Sequence, residues 1–143
     1  NENNILSVIT TGFHLNEVQK ILSKTGIDIQ MLVTNMSPET RRKLDEFGPR
    51  ARFGFICRDR DSIPFYTDLL NTELGGTINL ITSVFNDTSK VKEIIRTADV
   101  LLVTPPVFEQ VKGMAPSELA IYNVFDRVDP MSLKMLEDSL LRR

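Results

Sequence analysis

The chain has 143 residues, 41% of them hydrophobic and 25% charged, with a formal net charge of −2 and a pI near 5.4. That length suits one globular domain, 1–143, with a core of its own, and the slight acidity excludes a nucleic-acid-binding surface spread over the chain. A single cysteine, Cys57, excludes an internal disulfide framework and suits a cytoplasmic setting, and no apolar stretch nears the roughly 20 residues of a bilayer-spanning helix, so no membrane partner is expected.

The chain opens on Asn-Glu-Asn-Asn without Met, which suggests a piece of something longer. "ILSVIT" (5–10) then reads as a strand. The stretch 14–26 follows with Leu15, Val18, Ile21 and Leu22 on one helical face and Gly26 as a stop. "DIQMLVT" (28–34) is a second strand, and Ser37-Pro38-Glu39 supplies an N-cap, a first-turn proline and an early acid for a helix that ends near Gly48-Pro49. "ARFGFIC" (51–57) is a third strand, with a helix from about Ser62 to Leu74. "TINLITSVF" (77–85) is a fourth, after which Asp87 caps a helix carrying Val91, Ile94, Ile95 and Ala98. "DVLLVT" (99–104) is apolar enough to be central and buried on both faces. A short helix follows from Pro105, then a sixth strand, "LAIYNVF" (119–125), and a last helix that Asp129 caps ahead of Pro130.

Strands alternating with helices imply parallel pairing and right-handed crossovers. The expected fold is therefore α/β, a three-layer sandwich with a mainly parallel sheet of about six strands, flavodoxin- or Rossmann-like. The favoured strand order is 2-1-3-4-5, with the sixth strand continuing at one edge.

Ligands of such sheets bind at the carboxyl ends of the strands, near the switch in strand order. Those ends carry Thr10, Thr11, Phe13 and His14; Thr34; Cys57 and the charges Arg58 to Asp61; Ser83; Thr104; and Asn123. The third strand's charge cluster meets the N-terminus of the next helix, where free N–H groups attract anions, and an arginine adds a bidentate fork. The alternative is a self-paired, solvated loop. His14 either donates to a ligand or simply packs at a helix terminus. Cys57 is either a thiolate nucleophile beside an arginine or a buried, inert thiol. One His and one Cys in different units do not make a metal site, and the absence of Trp with only two Tyr speaks against flavin plates, so no cofactor is expected. The fingerprints Gly-x-Gly-x-x-Gly and Gly-x-Ser-x-Gly are missing.

The stretch "VITTGFHLNEVQKIL" (8–22) resembles the start of the effector-binding domain in a group of GntR-type transcriptional regulators. The likeness continues through "IDIQMLVTNMSPETRRKL" (27–44), "ARFGFICRDRDSIPFYTDLL" (51–70) and "DVLLVTPPVFEQVK" (99–112), with "TTGFH" its most specific element. The resemblance implies a ligand-sensing domain, not an enzyme, that forms a homodimer and reaches DNA only through a winged helix-turn-helix domain outside these residues. It implies that Thr10, Thr11, Phe13 and His14 line the first loop of the pocket and that Thr104 stands at the end of the fifth strand. Gly12 departs from the family pattern, which leaves the ligand open. The expected effector is a small anion held by Arg58 and the Thr10/Thr11 loop. Two other classes compete: a small α/β enzyme or phosphocarrier using Cys57, and a domain that only dimerises.

Overall fold

A computed structural model of the chain describes residues 7–11 and 15–141. In chain order the elements are β1 (Ser7–Thr11), α1 (Leu15–Leu22), β2 (Asp28–Leu32), β3 (Thr34–Asn35), α2 (Pro38–Asp45), β4 (Arg52–Cys57), α3 (Ile63–Glu73), β5 (Asn79–Val84), α4 (Thr88–Thr97), β6 (Val100–Val103), α5 (Phe108–Met114), β7 (Ala120–Asn123), β8 (Arg127–Val128) and α6 (Pro130–Leu141). Short 3₁₀ turns, Arg60–Ser62 and Pro105–Val107, lead into α3 and α5. The chain divides into two compact units, Met36–Asp126 (the sheet unit) and Asn1–Asn35 with Arg127–Arg143 (the terminal unit).

The sheet unit is built on four parallel strands in the order β5-β4-β6-β7. Every residue of β6 and the last five of β4 are buried. Side chains alternate between the two faces of a strand. On one face Ile56, Leu101 and Val103 join Val91 and Ile94 of α4 and Val107 and Val111 beside and within α5. On the other, Phe55 meets Tyr66 of α3. Helices therefore cover both faces, as a parallel sheet requires. Gly54 is what lets α4 approach so closely. A Cβ there would overlap the Ile94 side chain and lie 2.9 Å from Leu101 Cδ2. Each large apolar side chain buried here contributes about 1.5–3 kcal/mol.

Local signals produce these elements. Ser37 Oγ accepts from the Thr40 N–H (3.1 Å) and Asp87 Oδ1 from the Lys90 N–H (3.2 Å), so both predicted caps form. The amino edge of the sheet is tied by Arg52, which donates through its backbone and guanidinium to Asp99.

In the terminal unit β1 pairs with β2 in parallel, and β3 pairs with β8 antiparallel. The predicted cap of the last helix forms as well, with Asp129 Oδ2 accepting from the Ser132 N–H at 2.9 Å.

The sheet differs from the expected one in size and order. It holds four strands, not about six, and β4 lies between β5 and β6 instead of beside β1. The reason lies in the strands themselves. β1 and β2 carry Asp28 and Gln30 and leave Ile9 and Met31 about half exposed, so they do not suit a position buried on both faces. The second strand also breaks at Val33, after which Thr34 and Asn35 turn to pair with β8.

Candidate functional site

The strand order sets where the sheet unit can hold a ligand. From β4 the chain moves to β5 on one side, then crosses back over β4 to β6 on the other. The segments after β4 and β6 therefore leave adjacent strand ends toward α3 and α5, which cover opposite faces. That divergence, between Cys57-Arg58 and Thr104-Pro105, is the switch point of an open parallel sheet, where folds of this kind hold their ligands. The ladder runs right up to it: the Thr104 N–H donates to Ile56 O at 3.2 Å, and the Phe85 N–H to Cys57 O at 2.8 Å.

Arg58 stands at the end of β4, with its side chain about a third exposed. Its Nε lies 4.0 Å from Asp59 Oδ2, a long surface contact worth little. The Arg58–Asp59 contact is thus not a tight bridge. Ser62 does not cap α3 with its side chain; the 3₁₀ turn Arg60–Ser62 runs straight into the helix, the Ile63 N–H donates to the Arg60 carbonyl, and Pro64 has no N–H to offer.

Cys57 is 1% exposed, and its thiol donates to the Asp59 carbonyl at 3.4 Å. Burial pushes it up to about 11, with smaller opposing effects from Asp59 and Arg60. Tyr66 is pushed up to about 12, first by burial and then by the nearby Cys57 and Asp59. Both groups stay neutral at physiological pH. Tyr66 sits among rings, 5.5 Å from Phe55, 5.1 Å from Phe125 and 5.3 Å from Phe65.

The other expected residues divide by unit. Thr104 is buried at the end of β6 and does not cap the turn that follows it. Asn123 ends β7, and its Oδ1 accepts from the Phe125 N–H at 3.1 Å, which folds the chain back at the rim. Ser83 is buried within β5 and donates to the Val84 carbonyl, so its hydroxyl is used inside the strand. Arg58, Thr104 and Asn123 therefore come together on the neighbouring ends of β4, β6 and β7. Thr10, Thr11 and Thr34 belong to the terminal unit, Thr10 opposite Met31 and Thr34 opposite Val128. Phe13 and His14 lie outside the described residues.

Two features escaped the sequence reading. One is the ring cluster around Tyr66, whose signal was the placing of Phe55 and Cys57 on one face of β4. The other is Asp126, whose carboxylate accepts from the Ser37 N–H (2.8 Å), Ser37 Oγ (2.9 Å) and Thr40 Oγ1 (2.7 Å). It occupies the N-terminus of α2 as an internal anion. Partial burial would raise its carboxyl, but the hydrogen bonds from Thr40 and Ser37 outweigh that and hold it below the usual 3.8. No sequence spacing could have found this, because the partners lie 86 and 89 residues apart.

Among the described residues no group of His, Cys, Asp and Glu could hold a metal ion, and no helix is long and apolar enough to cross a membrane. No curated protein matches the chain. The YmtS Rossmann-like domain model matches residues 54–143, from within the β4 strand through α6.

Proposed function

The chain belongs to the YmtS Rossmann-like domain family, and from that premise we propose that it is a regulatory ligand-sensing module that binds a small anion at the β4–β6 switch point. The observation that carries this reading is the place of Arg58: a partly exposed guanidinium at the switch point, next to the strand end that carries Thr104. Arg58 would supply the bidentate fork, and Thr104 and Asn123 the neighbouring strand ends. Thr10, Thr11, Phe13, His14, Thr34 and Ser83 remain proposed members on the strength of the resemblance and their strand-end positions alone.

The likeness to GntR-type effector domains supports the rest of the proposal. The module would work as a homodimer and pass ligand occupancy to a DNA-binding domain outside these residues, by favouring one of two arrangements. The apolar side chains that the terminal unit exposes, Met131, Met135 and Leu141 among them, are consistent with a covered surface in a dimer. The competing nucleophile reading is weakened by the burial of Cys57. A thiol at about 11 is almost wholly protonated near neutrality, whereas a catalytic cysteine is exposed and acidic.

Thermal unfolding against phosphorylated sugars, nucleotides, carboxylates and neutral analogues tests the proposal. A ligand at about 100 times its Kd stabilises by about 2.7 kcal/mol. The expected result is a shift with anions only, lost in Arg58→Ala. A shift that survives Arg58→Ala, or no shift with any anion, rules out this switch point as the anion site. Thiol labelling separates the enzyme class: Cys57 should react slowly with a disulfide reagent at pH 8 until the chain unfolds, and rapid labelling of the folded protein would restore the nucleophile reading.

A further inference from the structure

The other end of the sheet carries a second cleft, away from the strand ends just described. It has a volume of about 370 Å³, within the range of small-molecule pockets, and lies at the amino ends of β4 and β5. Its apolar wall is Leu44, Phe53, Leu74 and Ile78. The rest is mostly bare backbone and one carboxylate, Asp45. Gly75 and Gly76 line it with φ of +85° and +138°, and a Cβ at either would meet nothing within 4 Å. Both residues thus border open space, in conformations that L side chains avoid.

The one charged side chain that lines the cleft is Asp45. α2 ends at Asp45 and α3 at Glu73, so both helices bring their C-termini to it, and helix C-termini carry partial negative charge. Asp45 adds a full negative charge, and among the described residues it is in no ion pair. The protein itself supplies the precedent for what such an end accepts. Arg41 donates through Nε to the Glu73 carbonyl (3.0 Å) and through Nη2 to the Glu73 carboxylate (2.6 Å), placing a cation on the terminus of α3. The same contacts clamp α2 to α3. The loop beyond is held by Asn71, whose carbonyl accepts from the Gly76 N–H (2.8 Å) and whose Oδ1 accepts from the Ile78 N–H (2.9 Å). The cleft is therefore formed before any ligand arrives, which spares the cost of ordering it.

We infer that this cleft is a binding site for a small organic cation, an ammonium group on an apolar body. The ammonium would lie against Asp45 at the C-terminal end of α2, since Arg41 already occupies the end of α3, and the body against Phe53, Leu44 and Leu74. Anions are disfavoured here by the same charges, so this site and the proposed anion site take ligands of opposite sign.

Amide-resolved NMR titration of the whole chain with benzylamine tests this, with benzyl alcohol and benzoate as matched probes. Benzylamine should give saturable shifts at the amides of Gly48, Gly75 and Gly76, and Asp45→Asn should weaken it by about tenfold, as loss of one charge-assisted contact would. Asp45 is exposed, so the variant is expected to fold, and an unchanged spectrum away from the cleft checks that it does. Equal binding of benzyl alcohol, shifts elsewhere than these glycines, or no saturation by benzylamine overturns the inference. Arg58→Ala should leave the titration unchanged, and a loss of benzylamine binding in that variant would also overturn it.

Discussion

In the sheet unit Phe55, Ile56, Leu101 and Leu102 have no exposed surface, whereas in the terminal unit Met131 and Met135 are 65% exposed and Leu141 84%. Both units are made from strands and helices of ordinary length. What separates them is coverage. Four strands with helices on both faces bury whole β-strands, while a two-stranded pair has few side chains to enclose. Leu136 is the terminal unit's one buried apolar side chain among the described residues. Secondary structure alone thus does not make a core.

The largest expected effect breaks the sheet unit at its centre. Phe55→Ala removes a ring that is fully buried and packed at a tilt against Tyr66, and should destabilise by about 3–5 kcal/mol in urea unfolding. Gly54→Ala works in the opposite sense, by adding volume. Its methyl would overlap Ile94, part of the wall of α4, so the cost should be about 1–3 kcal/mol. If both variants keep the parent urea midpoint, this unit does not hold the stability that its burial implies.

The sheet unit is also the part that the sequence made legible. β4, β5, β6 and β7 lie where short β-branched runs alternate with helical periodicity, and the caps at Ser37, Asp87 and Asp129 were readable because a cap is a local event of three or four residues. Strand order is not local. The apolar run of β6 announces burial on both faces but not which neighbours do the burying, so β4 was expected beside β1 and is found between β5 and β6. The site divides in the same way. Arg58 and Thr104 were legible as strand-end residues, and their adjacency follows from the order. Asp126 carried no such local signal. It bonds Ser37 and Thr40, while Arg127 Nε donates to Asn35 Oδ1.

Asp126 supplies the next effect. Its carboxylate satisfies donors at the start of α2, so Asp126→Ala should cost about 1–2 kcal/mol, and Ser37→Ala about 1 kcal/mol. The pH dependence has a definite sign. A carboxyl held lower in the folded chain than the ordinary 3.8 contributes stability that is fully present above 3.8 and is lost as pH falls through the folded value. The urea midpoint of the parent should therefore drop further between pH 5 and about pH 2 than that of Asp126→Ala. Parallel drops in the two proteins would mean that the hydrogen bonds at α2 do not hold the charged form.

The smallest effects belong to the terminal unit and sharpen the comparison most. Met135→Ser and Leu141→Ser change side chains that water already reaches, so each should alter the stability of dilute protein by no more than about 0.5 kcal/mol. Burial in a dimer changes that arithmetic, because a partner that binds only the folded form stabilises it by mass action. The parent would then melt at a temperature that rises with protein concentration, and the serine variants would lose that rise while matching the parent when dilute. Melting curves across a wide concentration range, with sedimentation at each end, read both. A flat response in the parent would mean that the exposed apolar side chains of α6 do not make a homodimer, and the proposed transmission through a second copy would fall with it.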